Sequence, residues 1–256
     1  MRVLCVGDVT GSVGSDYLRR QLSGLKRSKG VDVVIVNGEN SADSNGITPH
    51  SAEDLFSAGA DCITTGNHCF QRRESYDMYE SELPVIRPAN FPSGVPGRGS
   101  EVVDLGRMQL RVINLMGNVG MKQTLSCPFE TMDRLLSACK ERIIIVDFHA
   151  EATGEKRALA EYLDGRVSAV FGTHTHVQTA DEQILPKGTG FITDIGMTGP
   201  VNSCLGVRPE LAVSFMKTQM PTRLEYADGP CMLNAVLFEL DEQTGRTISV
   251  ERINIR

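Results

Sequence analysis

The chain has 256 residues, 41% of them hydrophobic, and a formal net charge of −6. That is enough apolar material for a sizeable core in one large or two small domains. The Lys and Arg residues are scattered, which excludes a groove gripping duplex DNA through many phosphates; no apolar run approaches the roughly 18–20 residues of a membrane span, and the opening run Val3–Gly7 is too short to predict a signal peptide.

Seven cysteines, an odd number with no Cys-x-x-Cys spacing, read as reduced thiols used as small hydrophobes. The expectation is a cytoplasmic protein.

Arg2–Gly7 is an apolar run stopped by a Gly-Asp turn, a first strand. Asp16–Lys29 carries Tyr17, Leu18, Leu22 and Leu25 at helical spacing. Val31–Val36 is a second strand, nearly all apolar and so buried on both faces. Thr48-Pro49 starts a helix that runs to Gly59. Asp61–Thr65 is a third strand, ending in Gly66-Asn67-His68. Glu74–Leu83 is a helix, Pro84–Arg87 a short strand, and residues 101–105 and 109–115 a hairpin. Helix 128–140, strand 142–148, helix 153–163 and strand 167–171 follow, leading into Gly172-Thr173-His174-Thr175-His176. Short strands are expected around 178–185 and 191–194, a loop at 196–200 and a helix at 209–217. A hairpin at 232–240 and 247–255 closes the chain.

Strands alternating with helices predict an α/β fold with ligands bound at the C-terminal strand edge. Asp8, Glu39, Asn40, Asn67, His68, His149, His174 and His176 all fall there. His174 and His176, two apart on extended chain, would share one face. Each residue alone has a plain explanation as a turn former. Five strands ending in oxygen or imidazole groups point to metal ligation, with candidates for two ions. The mixture of carboxylate, amide and imidazole suits manganese, iron or zinc better than calcium or magnesium. His50, in the first turn of a helix, is read as a surface residue.

The order Gly7-Asp8, Asn37-Gly38-Glu39-Asn40, Gly66-Asn67-His68, His149 and Gly172-Thr173-His174-Thr175-His176 resembles a calcineurin-like metallophosphoesterase. More narrowly, it is similar to the bacterial YmdB type of cyclic-nucleotide phosphodiesterase. Asp8-Val9-Thr10-Gly11, Phe148–Thr153 and Asp194–Pro200 match that subgroup as well.

The resemblance implies a single metallophosphoesterase domain over 1–256, a sandwich of mixed β-sheets flanked by helices. It implies one divalent ion on Asp8, Glu39, Asn40 and His176 and a second on Glu39, Asn67, His149 and His174, with Glu39 bridging. Iron or manganese leads, with zinc next. A hydroxide shared by the ions would attack phosphorus in line, and His68, free of metal, would be the general acid. The broad superfamily's Asp-x-His is Asp8-Val9-Thr10 here, and its bridging Asp is Glu39; both are features of the narrower family. Cys69 stands where an acid often follows the histidine, and is read as a packed thiol.

The implied substrate is a small cyclic nucleotide resembling 2′,3′-cyclic AMP. A phosphomonoesterase, an RNA nuclease acting on RNA ends, and a regulatory RNA-associated protein with structural metals are the competing readings. The sequence leaves a homo-oligomer open and points to no membrane partner.

Overall fold

The computed structural model describes residues 1–256. β1 (Arg2–Val6) and β2 (Asp8–Val9) lead into α1 (Gly11–Lys29), followed by β3 (Val33–Asn37), α2 (Pro49–Ala58), β4 (Cys62–Thr64), α3 (Tyr76–Glu80) and β5 (Val85–Ile86). Next come β6 (Ser100–Asp104), β7 (Gln109–Met116), α4 (Pro128–Ala138), β8 (Ile143–His149), α5 (Thr153–Leu163) and β9 (Ala169–Thr173). The chain ends with β10 (Gln183–Ile184), β11 (Gly190–Ile192), β12 (Met197–Pro200), α6 (Pro209–Thr218), β13 (Cys231–Leu240) and β14 (Thr247–Ile255).

Two sheets form. The larger runs β2-β12-β13-β1-β3-β4-β5, with β14 also pairing with β13; the smaller runs β10-β11-β9-β8-β7-β6. β1, β3, β4 and β5 are parallel, as are β7, β8, β9 and β11. Alternation along each strand splits the side chains into three layers. Val3, Cys5, Val33 and Ile35 face Val112, Ile145 and Phe171 between the sheets. Leu4, Val6, Val34 and Val36 pack outward on Leu18 and Leu22 of α1 and Leu55 of α2. Ile113, Val146 and Phe148 pack on Met132 of α4 and Leu159 and Leu163 of α5. The result is the expected helix–sheet–sheet–helix sandwich. Truncating a core residue such as Leu22 to Ala would cost about 2–5 kcal/mol. No helix is long and apolar enough to cross a membrane.

Three elements differ from the sequence expectation. α1 starts at Gly11, five residues before Asp16, in a stretch without apolar periodicity. Its start is capped from a distance: the Asp43 carboxylate accepts from Ser12 N at 3.0 Å and from Ser12 Oγ at 3.1 Å. The helix expected over 74–83 is a 3-10 turn at Arg73–Ser75 followed by the short α3. The loop expected at 196–200 is strand β12, held parallel to β2 and antiparallel to β13. That pairing straps the Asp8 segment to the sheet. The start of α2 matches the sequence: Thr48 Oγ1 accepts from Ser51 N at 3.1 Å, and Thr48 N donates to Ser51 Oγ at 2.9 Å.

Candidate metal centre

All eight candidate residues lie at one edge, where the C-terminal ends of both parallel sets meet. Asp8 comes from β2; Glu39 and Asn40 follow β3; Asn67 and His68 follow β4; His149 ends β8; His174 and His176 follow β9. Glu39, Asp8 and His149 are buried, and His68 is partly exposed at the rim. His50 is on the surface, 86% exposed, as expected. Cys69 is a buried thiol.

Glu39 stands in the middle. Its Oε2 lies 3.3 Å from His149 Nε2, and its Oε1 accepts from Asn40 Nδ2 at 2.8 Å and sits 3.1 Å from His68 Nδ1. Asn67 Oδ1 is 2.9 Å, and His174 Nδ1 3.1 Å, from His149 Nε2. The ligand atoms of Glu39, His149 and His174 lie within 4.8 Å of one another. On the other side, His176 Nε2 is 3.4 Å from Asn40 Nδ2 and 3.6 Å from Asp8 Oδ1. Gly66 is required here: a Cβ on it would come within 2.3 Å of His149 Nε2 and 2.4 Å of Glu39 Oε2.

The expectation that His174 and His176 share a face of extended chain is corrected. β9 ends at Thr173, and the two residues have φ of 99° and 64°. Left-handed backbone is strained for non-glycine residues and persists when its surroundings hold it. It sends His174 toward His149 and His176 toward Asp8 and Asn40. The clamp is Asp194, whose Oδ2 accepts from Thr175 N at 3.2 Å and Thr175 Oγ1 at 2.7 Å. Asp194 is itself paired with the buried Lys156 at 2.7 Å.

The outer nitrogens of the imidazoles are also fixed. His149 Nδ1 lies 2.9 Å from Thr173 Oγ1, which donates to Asp147 Oδ1 at 2.7 Å. His176 Nδ1 lies 3.0 Å from the Leu205 carbonyl, and His174 Nε2 lies 3.2 Å from Glu151. Such partners orient a metal-ligating ring. The sequence motifs contain Thr173 and Asp194 without assigning them a role, and Asp147 and Lys156 lie outside the motifs. One signal was available: Asp147 is the lone acid inside the apolar run Ile143–Phe148.

Electrostatics separate the rings. Burial pushes His149 down to about 4, against the pull of Glu39. Burial also opposes charge on His176, but the Asp8 carboxylate outweighs it and raises the ring to about 9. Burial would raise the Glu39 carboxyl; His149 and His68 hold it well below the usual range instead. Burial pushes Asp147 up to about 7, partly offset by Thr64, Thr173 and Asn37.

This donor set fits divalent cations. Asp8 Oδ1 is buried and has no hydrogen-bond partner, an expensive condition for a carboxylate oxygen unless a cation meets it. Carboxylate, amide and imidazole groups converge there, the mixture that first-row transition metals accept.

A cleft of about 480 Å³ opens at the rim. It is lined by His68, His174 and Asn67, by Asn45 and Gln71, and by the loop Gly120–Gln123. Loops 40–48 and 116–123 therefore reach it, and 196–208 reaches the centre through Leu205.

The family model described as "YmdB-like protein" matches residues 4–253. The chain is 45% identical to the 2′,3′-cyclic-nucleotide 2′-phosphodiesterase of Bacillus subtilis (strain 168), covering 100% of this chain and 97% of that protein. A hypothetical protein from Thermus thermophilus superposes with a TM-score of 0.94 at 39% identity, over 100% of this chain and 99% of that one. A novel phosphatase from Mycoplasma pneumoniae gives 0.93 at 35% identity, over 100% and 93%. Matched along nearly its whole length, with its motif residues gathered at one sheet edge, the chain belongs to the YmdB-like protein family.

Proposed function

We propose that this phosphodiesterase, acting as one domain over 1–256, hydrolyses the cyclic ester of a 2′,3′-cyclic nucleotide at the centre just described. The observation that carries the reading is the buried oxygen–nitrogen cluster around Glu39, with Asp8 Oδ1 left for a cation. The substrate rests on the activity named for the Bacillus subtilis relative.

Asp8, Glu39, Asn40 and His176 would hold one divalent ion; Glu39, Asn67, His149 and His174 would hold the other. Iron or manganese suits these donors best, with zinc next. When bound, the ions would supply an activated water and positive charge against the phosphate.

The chain's own part is positional. Thr173 and Leu205 turn the Nε2 atoms of His149 and His176 inward. Asn40 and Asn67 are neutral amides, so the site gathers donors with only two carboxylates. His68 stands at the rim, with Nδ1 held 2.9 Å from Asn40 Oδ1 and 3.1 Å from Glu39 Oε1. Its other nitrogen is left to protonate the leaving ribose oxygen as the general acid. RNA ends bearing the same cyclic phosphate are a second substrate class, favoured by the open cleft. A cytoplasmic location belongs to the same reading, supported by Cys5, Cys62, Cys69 and Cys231 serving as buried thiols.

The test is His68→Ala with elemental analysis. Turnover of 2′,3′-cyclic AMP should fall by about 10²–10⁴ with metal content retained; loss of metal would overturn the acid role. p-Nitrophenyl phosphate alongside its bis ester separates monoester from diester preference, and a chelator should abolish turnover of both esters.

A further inference from the structure

We propose that a small cavity beside the metal centre, with Val207, Leu224 and the Tyr226 ring as its apolar side, is the subsite for the nucleobase, an inference that rests on the cyclic-nucleotide reading above. The cavity measures about 220 Å³ and is bounded by Ser44, Asn45, Val207, Leu224 and Tyr226. Leu224 is 38% exposed, so its side chain is apolar surface that the rest of the chain leaves uncovered. Apolar side chains beside neutral polar groups suit a flat heteroaromatic ring, whereas a phosphate needs donors and charge.

The cavity adjoins the centre through three residues. Asn45 lines both this cavity and the cleft that holds His68 and His174. Tyr226 Oη reaches the Asn40 carbonyl at 3.4 Å. Leu205, two residues before Val207, places its carbonyl on His176 Nδ1. A ligand with its phosphate at the centre therefore has this cavity as a neighbouring wall.

Asn45 supplies the recognition group. The Tyr226 phenol donates to its Oδ1 at 2.8 Å. That orients the amide, and its Nδ2 is left to donate to a ring nitrogen or carbonyl of a base. The turn that carries it is strained and held: Ser44 and Asn45 have φ of 66° and 67°. The Arg72 guanidinium bonds the Asn45 carbonyl at 3.0 Å, the Ser44 carbonyl at 3.4 Å and the Asp43 carbonyl. Two left-handed residues fixed from outside make a pre-formed wall.

The experiment compares kcat/KM for 2′,3′-cyclic AMP with kcat/KM for methyl β-D-ribofuranoside 2′,3′-cyclic phosphate, the same ester without a base. In the wild type the ratio should favour the nucleotide by about tenfold or more, roughly 1.4 kcal/mol. Val207→Phe, which fills the cavity, should lower that ratio about tenfold. Leu224→Ala, at an exposed position that folding tolerates, should lower it about threefold. A ratio that moves in neither variant, with both esters affected alike, overturns the subsite. If wild-type protein turns over neither ester, the functional reading fails, and adenosine titrated into the protein and followed by NMR decides the subsite. Shifts abolished by Val207→Phe support it; a wild type indifferent to adenosine overturns it.

Discussion

Around His149 four side chains close on the ring, whereas around His176 the centre is only partly tied together. His149 is enclosed: Thr173 and Asp147 stand behind it, Asn67, Glu39 and His174 in front. His176 is held from behind by a backbone carbonyl and faces Asp8 Oδ1 at 3.6 Å, which leaves that oxygen without a hydrogen bond. Side-chain networks buried in low dielectric are rigid when fully satisfied. The difference teaches that the centre has one pre-organised half and one half completed by charge. The two halves should respond differently to the same kind of damage.

Glu39→Gln should do the greatest harm, because Glu39 touches groups of both halves, His149 on one side and Asn40 and His68 on the other. Turnover should fall on the order of 10³-fold or more. Elemental analysis should find both ions depleted; loss of one alone would mean Glu39 serves only one half.

The next largest effect separates the halves. His176→Ala should leave about one metal equivalent bound at the enclosed half, and His149→Ala should spare the other ion but bind it more weakly. Metal content and Kd for Mn²⁺ in both variants measure this. Equal loss in both would erase the comparison and favour a single coupled site.

Thr173→Val probes why the enclosed half is rigid. The valine keeps the shape but removes the hydroxyl between Asp147 and His149 Nδ1. Metal affinity at that half should weaken about 10–100-fold, with Thr173→Ser restoring most of it. An unchanged affinity would mean the ring is held by packing alone.

The sequence carried the gathering of the eight residues. Each follows an apolar strand, and parallel α/β topology brings such strand ends to one edge. It did not carry what holds them. The α1 start depends on Asp43, 31 residues away, and β12 exists because β2 and β13 flank it. The separate directions of His174 and His176 come from left-handed backbone clamped by Asp194 and Lys156. These are tertiary contacts that override local pattern, and hydrophobic period says nothing about them. The lone Asp147 in an apolar strand was visible, but its link through Thr173 to His149 needed the neighbouring strand.

The remaining effect lies in the pH dependence of metal uptake, and it distinguishes the halves most directly. Burial disfavours charge on both rings, yet the outcomes diverge. His149 is pushed down to about 4, so it is neutral at ordinary pH. His176 is raised to about 9, because the Asp8 carboxylate outweighs burial. The raised value means that the protonated ring's pairing with Asp8 stabilises the metal-free fold fully below about pH 6.5 and is lost as pH rises through about 9. A cation entering that half must displace the proton. Its affinity should therefore rise about tenfold per pH unit between about 6.5 and 9, with close to one proton released per ion. Uptake at the His149 half should be flat over the same window. Calorimetric titration of metal-stripped protein with Mn²⁺, in two buffers of different ionisation enthalpy at pH values of about 6.5, 7.5 and 8.5, resolves the two slopes. One sloping and one flat site sharpens the distinction; two equal slopes would remove its electrostatic half and leave only the difference in packing.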